Sequence, residues 1–162
     1  MAVDKELQEF HIDEHGVIDS WVQMIFAARQ GSWINLEPII DESLDQPVKT
    51  RRGVSGWFSA KGSDLPFVTL MAPDHRGRSP NPASLGLTHG AGPKVRNQLD
   101  ELGYPVPATW RTIEDNPRRG LVCLVPDDQD GAALVKTALA MAVALCPLEL
   151  DGWWSAVRHL QR

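Results

Sequence analysis

"LGLTHGAGPKVRNQLDELG", residues 85–103, decides the fold because its apolar period changes part-way along. Leu85 and Leu87 alternate with small or polar residues, as on a half-buried strand. Beyond Pro93 the apolar residues Val95, Leu99 and Leu102 recur at helical spacing, and Gly103 is a natural stop. A strand therefore feeds a helix through the turn "HGAGPK", residues 89–94. Pro93 fits the first helical position, where its missing N–H costs nothing.

Outward from this unit the pattern extends both ways. The stretches 54–60 ("VSGWFSA"), 65–73 ("LPFVTLMAP"), 83–89 ("ASLGLTH"), 109–114 ("TWRTIE") and 120–126 ("GLVCLVP") read as strands, with turn chemistry in "KGSD" and "DNPRRG". Between the second and third of them, "DHRGRSPNP" reads as a loop. In "VIDSWVQMIFAARQG", residues 17–31, Ile18, Trp21, Val22, Ile25 and Phe26 mark a helix, and "NLEPIIDESL" adds a short second one. Asp128 or Asp130 caps a long apolar helix over 131–146, and "GWWSAVRHL" closes the chain as a helix or an extended tail. The expected order is α(α)-β-β-β-α-β-β-α, an α+β fold with helices packed on one mostly antiparallel five-stranded sheet. A single domain spans 1–162, with an acidic helical start over 1–45 and a sheet over 53–162 that carries helices 93–103 and 131–146.

This element order is similar to the small type III secretion chaperone-like fold. The resemblance lies in topology alone, and it implies a homodimer that holds partner polypeptides.

At 162 residues and 43% hydrophobic, the chain is long enough to bury a core without metals or disulfides. Cys123 and Cys146 lie in apolar runs, where free thiols act as small hydrophobes. The N-terminal residues, charged from Asp4 onward, lack the apolar stretch of a secretion signal, and the apolar helix 131–146 is too short for a bilayer and contains Lys136. A cytoplasmic location is expected. The excess of arginine over lysine, 11 against 5, fits a GC-rich bacterial genome.

Charge is unevenly spread. Residues 1–48 carry 10 acidic and 2 basic side chains, whereas residues 49–119 carry 6 and 11. Either the middle meets an anionic partner, or the acidic start packs against it.

The helix at Pro93 would present unpaired amides, and Gly90 and Gly92 would allow an anion to approach the backbone. Antiparallel pairing places Lys61, the turn Gly90 to Lys94, and Arg118 with Arg119 at one end of the sheet, and His75, Arg76 and Arg78 at the other. Lys61, His89, Gly90, Gly92, Lys94, Arg118 and Arg119 thus form a candidate anion site, although the third glycine of a dinucleotide fingerprint and the Lys-Ser/Thr of a P-loop are missing. His89 is the one candidate for acid–base chemistry beside such an anion.

Other signals are refused. "HIDEH", residues 11–15, has the spacing of an inverted zinc-peptidase motif but lacks the apolar helix and third ligand that a catalytic metal needs, so no metal or cofactor is expected. No G-x-S-x-G elbow supplies a nucleophile. Trp57 and Trp110 read as packing residues. Trp153 and Trp154 follow the last core helix and would leave one indole exposed, a candidate partner interface. The leading expectation is a non-enzymatic protein-binding or adaptor module, a homodimer. An anion-binding module for nucleic acid or a nucleotide is second, and a phosphoryl-transfer or hydrolytic enzyme centred on His89 third.

Overall fold

The structure is a computed structural model that describes residues 3–40 and 65–162. Its elements are β1 (Val3–His11), α1 (Gly16–Ala28), β2 (Trp33–Pro38), β3 (Phe67–Met71), β4 (Ser84–Thr88), α2 (Val95–Leu102), β5 (Arg111–Asn116), β6 (Gly120–Leu124), α3 (Gly131–Leu145) and β7 (Trp153–Gln161). The strands form one antiparallel sheet in the order β1-β7-β2-β3-β4-β6-β5.

The α+β class is as the sequence indicates, but the five-stranded sheet is corrected to one of seven strands among the described residues. Four of the five expected strands are β3 to β6, while the stretch 54–60, like Lys61 and Trp57, lies outside the described residues. The three additions come from segments read as helical start or tail. β1 and β7 bring the two ends of the chain together along nine paired positions, Val3 with Gln161 through His11 with Trp153. β2 takes the first half of what reads as a second helix. In "WINLEP" Ile34, Leu36 and Pro38 are buried while Trp33, Asn35 and Glu37 face the other way, a period of two. With strands at both ends, the order is β-α-β-β-β-α-β-β-α-β, which removes the topological basis of the type III chaperone-like comparison.

The three helices among the described residues lie on one side of the sheet. Ile34, Leu36, Val68, Leu70, Leu85, Leu87, Leu121, Cys123, Trp154 and Ala156 project from the strands into a single core, where they meet Ile18, Val22 and Ile25 of α1, Leu99 of α2, and Leu134, Val135 and Leu139 of α3. Each large aliphatic side chain so buried stabilises the fold by about 1.5–3 kcal/mol. Arg158 joins this side too. Its guanidinium pairs with Glu6 and lies 4.5 Å from the centre of the Trp21 ring, holding the edge of the sheet to α1. No helix among the described residues is long and apolar enough to cross a membrane.

Local chemistry sets the ends of the helices. Asp130 caps α3 by accepting from the Ala133 amide at 2.8 Å, and the helix stops at Leu145 because Pro147 disfavours helical geometry at Cys146. α2 begins at Val95, two residues later than Pro93, because Lys94 is left-handed at φ 54° and turns the chain into the helix from outside.

Candidate functional site

The turn "HGAGPK" has an internal occupant. The Val95 amide donates to Asp115 Oδ1 at 3.0 Å and the Arg96 amide to Asp115 Oδ2 at 3.2 Å, so a carboxylate from β5 caps the start of α2. Gln98 reaches back to the carbonyls of Ala91 and Pro93 and closes the turn. Gly92 needs its glycine, with φ at +84°. The crossover works as the pattern implies: β4 and β5 both run antiparallel to β6, hence parallel to each other, and the turn at 89–94 shares a rim with the β5–β6 hairpin. Asn116 Oδ1 accepts from the Arg118 amide at 2.8 Å, an Asx turn that displays Arg118 and Arg119, and Arg119 lies 3.5 Å from Glu114. Gly90 is half-buried and Lys94 is exposed on the same rim.

His89 is buried beneath that rim, with 1% of its surface exposed. Its Nδ1 accepts from the Ala91 amide at 3.2 Å, which leaves the proton on an Nε2 without a partner. Burial lowers its pKa, partly countered by the charge of Asp115. A surface acid or base it is not.

At the opposite end, His75 and Arg76 are pinned in their loop, and Arg78 is exposed on it. Asp74 holds Arg76 through Nε at 3.0 Å and its second guanidinium nitrogen at 2.9 Å, and this pairing together with the Arg76 amide lowers the Asp74 pKa to about 2. His75 Nε2 donates to Asp127 Oδ2 at 2.9 Å while the Arg29 guanidinium lies 3.3 Å from Nδ1. The two histidines of "HIDEH" are separately engaged. His11 ends β1 with its ring edge-on to Trp153, and His15 Nδ1 lies 2.6 Å from Asp19 Oδ1. Among the described residues no group of three or more His, Cys, Asp or Glu side chains is placed to hold a metal ion.

Of the two adjacent tryptophans, Trp154 is fully buried and Trp153 is 49% exposed, so only Trp153 is available to a partner. Strand alternation divides them: Trp154 points into the core, Trp153 to the other face.

That other face is the largest feature the sequence reading missed. Among the described residues it has no helix against it. The pairing registers lay its side chains in rows across the sheet, one reading Leu7, Val157, Asn35, Thr69, Gly86, Val122, Glu114, and a second Lys5, His159, Trp33, Met71, Ser84, Leu124, Arg111. Glu9, Ser155 and Glu37 follow in a third row that continues to Phe67 and Thr88. Trp33 and His159 stack in the second row, ring centroids 4.6 Å apart and planes 8° from parallel. The Thr69 hydroxyl donates to Asn35 Oδ1 at 3.0 Å, and the Asn35 amide donates to His159 Nε2 at 3.3 Å. The proton of His159 is thereby placed on Nδ1, which is buried and has no acceptor. Burial lowers this pKa as well, with Lys5 adding to the effect. The signal that could have exposed this face was the alternation in "WINLEP" and "WWSAVRHL".

No family model, no curated protein and no solved structure matches the chain. The site is therefore defined by its own geometry: a sheet covered by helices on one side, with an aromatic and apolar band across the other.

Proposed function

We propose that the chain is a non-enzymatic protein-binding module that receives a partner polypeptide on the helix-free face of its sheet. The observation that carries this reading is the composition of that face. An antiparallel sheet exposed to water on one side normally turns polar residues outward, yet here Trp33, Phe67, Met71, Val122, Leu124 and Val157 occupy outward positions in four strands, β7, β2, β3 and β6, with the small residues Ser84, Gly86 and Thr88 of β4 between them. A polypeptide suits it better than an apolar small molecule, because Lys5, Arg111, Glu9, Glu37 and Glu114 rim the band with both signs of charge.

The alternative, an anion-binding module for nucleic acid or a nucleotide, draws on Lys94, Arg118 and Arg119. Asp115 occupies the helix amides there, so that rim offers side-chain charge alone. An enzyme centred on His89 would need the imidazole at a surface, and it is buried.

Selection of peptides from a random displayed library tests the proposal. Peptides rich in apolar residues should be enriched on the wild type and should bind Met71→Arg at least roughly tenfold more weakly. Met71 is 39% exposed, so its replacement leaves the fold intact. Equal binding to both proteins, or no enrichment at all, refutes the reading.

A further inference from the structure

Among the described residues β1 is an edge strand, and its residues from Val3 to Glu9 are all exposed. The direction of its backbone groups can be fixed. Ile12 donates to the Gly152 carbonyl at 2.8 Å, in register with the β1–β7 ladder, while the Trp153 carbonyl accepts from Ile39 on the far side of β7. Antiparallel pairing alternates, so the even-numbered residues of β1 bond to β7 and Lys5, Leu7 and Glu9 direct N–H and C=O outward. The Glu9 carbonyl confirms it, because there it meets only the Gln8 side chain, at 2.7 Å.

From this edge we infer that two copies of the chain pair antiparallel through β1, with Leu7 opposite Leu7 of the second copy. Three features select a second copy and this register. First, the outward groups of Lys5, Leu7 and Glu9 then face Glu9, Leu7 and Lys5, so every hydrogen-bonded pair has both its donors and its acceptors. Second, the same register sets Lys5 against Glu9 twice, an opposite-charge cross-strand pair that favours association. Centring on Lys5 or Glu9 sets like charges face to face, and centring on Glu6 sets Glu6 against Glu6. Third, Asp4 and Glu6 are already paired with Arg162 and Arg158, whereas among the described residues Lys5 and Glu9 have no ion pair. Leu7, 65% exposed, would lose its exposure against its own copy. Charged edge strands usually resist pairing; here the charges resist the registers centred on Lys5, Glu6 and Glu9, and only the one centred on Leu7 gains two opposite-charge pairs. The two-fold axis runs perpendicular to the sheet, so both helix-free faces lie on the same side as one continuous surface. This inference stands independently of what that surface binds.

Sedimentation or light scattering at micromolar concentration tests it. The wild type should have twice the 17.9 kDa chain mass. Lys5→Glu and Glu9→Lys should each be monomeric alone, should form a dimer when mixed with each other, and the Lys5→Glu/Glu9→Lys double variant should dimerise again. Leu7→Pro should be monomeric with unchanged circular dichroism, because the N–H it removes points away from β7. A monomeric wild type, a dimer that survives Lys5→Glu or Leu7→Pro, or a charge swap that fails to restore association overturns the inference.

Discussion

Replacing Asp115 tests whether the glycine turn is an internal salt-free cap or a vacant anion cradle. Asp115→Ala removes the acceptor of two amides, Val95 and Arg96, at 3.0 and 3.2 Å. Loss of an N-terminal cap costs about 1 kcal/mol, and loss of a carboxylate beside a helix start a further ~0.3–1 kcal/mol. Val95 is fully buried, so water replaces the lost acceptor poorly; the stranded amide adds about 1 kcal/mol and brings the sum to about 2.5 kcal/mol. For a domain of this size that lowers Tm by roughly 5–10 °C. Asp115→Asn keeps one acceptor oxygen and should cost about 1 kcal/mol. Urea unfolding followed by tryptophan fluorescence gives both values if the denaturant slope is unchanged. Inorganic phosphate should stabilise Asp115→Ala more than the wild type, since it can enter only the vacated turn. A loss below about 0.5 kcal/mol, or equal stabilisation by phosphate, would refute the cap.

Gly120→Ala should cost more than about 3 kcal/mol in the same assay, because a Cβ there would lie 2.3 Å from the Leu87 carbonyl oxygen at a φ of +87°; a change under about 1 kcal/mol would mean that β4 and β6 are not packed this closely. His89 and His159 have lowered pKa values in the folded chain, so the unfolded chain binds the more protons as pH falls: stability should be full above the ordinary histidine value near 6.5 and decline below it. Thermal unfolding from about pH 7.5 to 5.5 should show that decline, and His89→Gln should flatten it; a slope unaltered in the variant assigns it elsewhere. Asp74 acts in a lower window, its contribution present above 3.8 and lost as pH falls towards about 2. The Cys123 thiol, fully buried and with its pKa raised by burial, should react with a thiol reagent only on unfolding; fast labelling of the native chain at Cys123 would contradict its place in the core.

What the sequence made legible follows from side-chain period. β4 alternates apolar and small residues, β3 and β6 are short apolar runs bounded by turn residues, and α1 and α3 repeat apolar residues every three or four positions, so both types are readable without coordinates. β1 was hidden because neither of its faces is apolar: Asp4, Glu6 and Gln8 take one side and Lys5 and Glu9 the other, each stabilised by β7 rather than by the core. β7 was hidden because Arg158 occupies an inward position, where Glu6 and Trp21 satisfy it. That the 89–94 turn and the β5–β6 hairpin share one end of the sheet could be read from the crossover rule, but the carboxylate filling the turn could not, since Asp115 lies 20 positions from Val95 along the chain. The helix-free face escaped because its rows run across strands that are distant in sequence.

The central claim is that partners meet the sheet on its helix-free side. Photo-crosslinking in the native host decides it, with a benzoylphenylalanine placed in turn at Ser84, on that face between Met71 and Leu124, and at Val143, 40% exposed on α3. The account predicts a discrete protein adduct from position 84, lost with Met71→Arg, and none from position 143. Adducts from position 143 alone, or the same adducts from both positions, would contradict it.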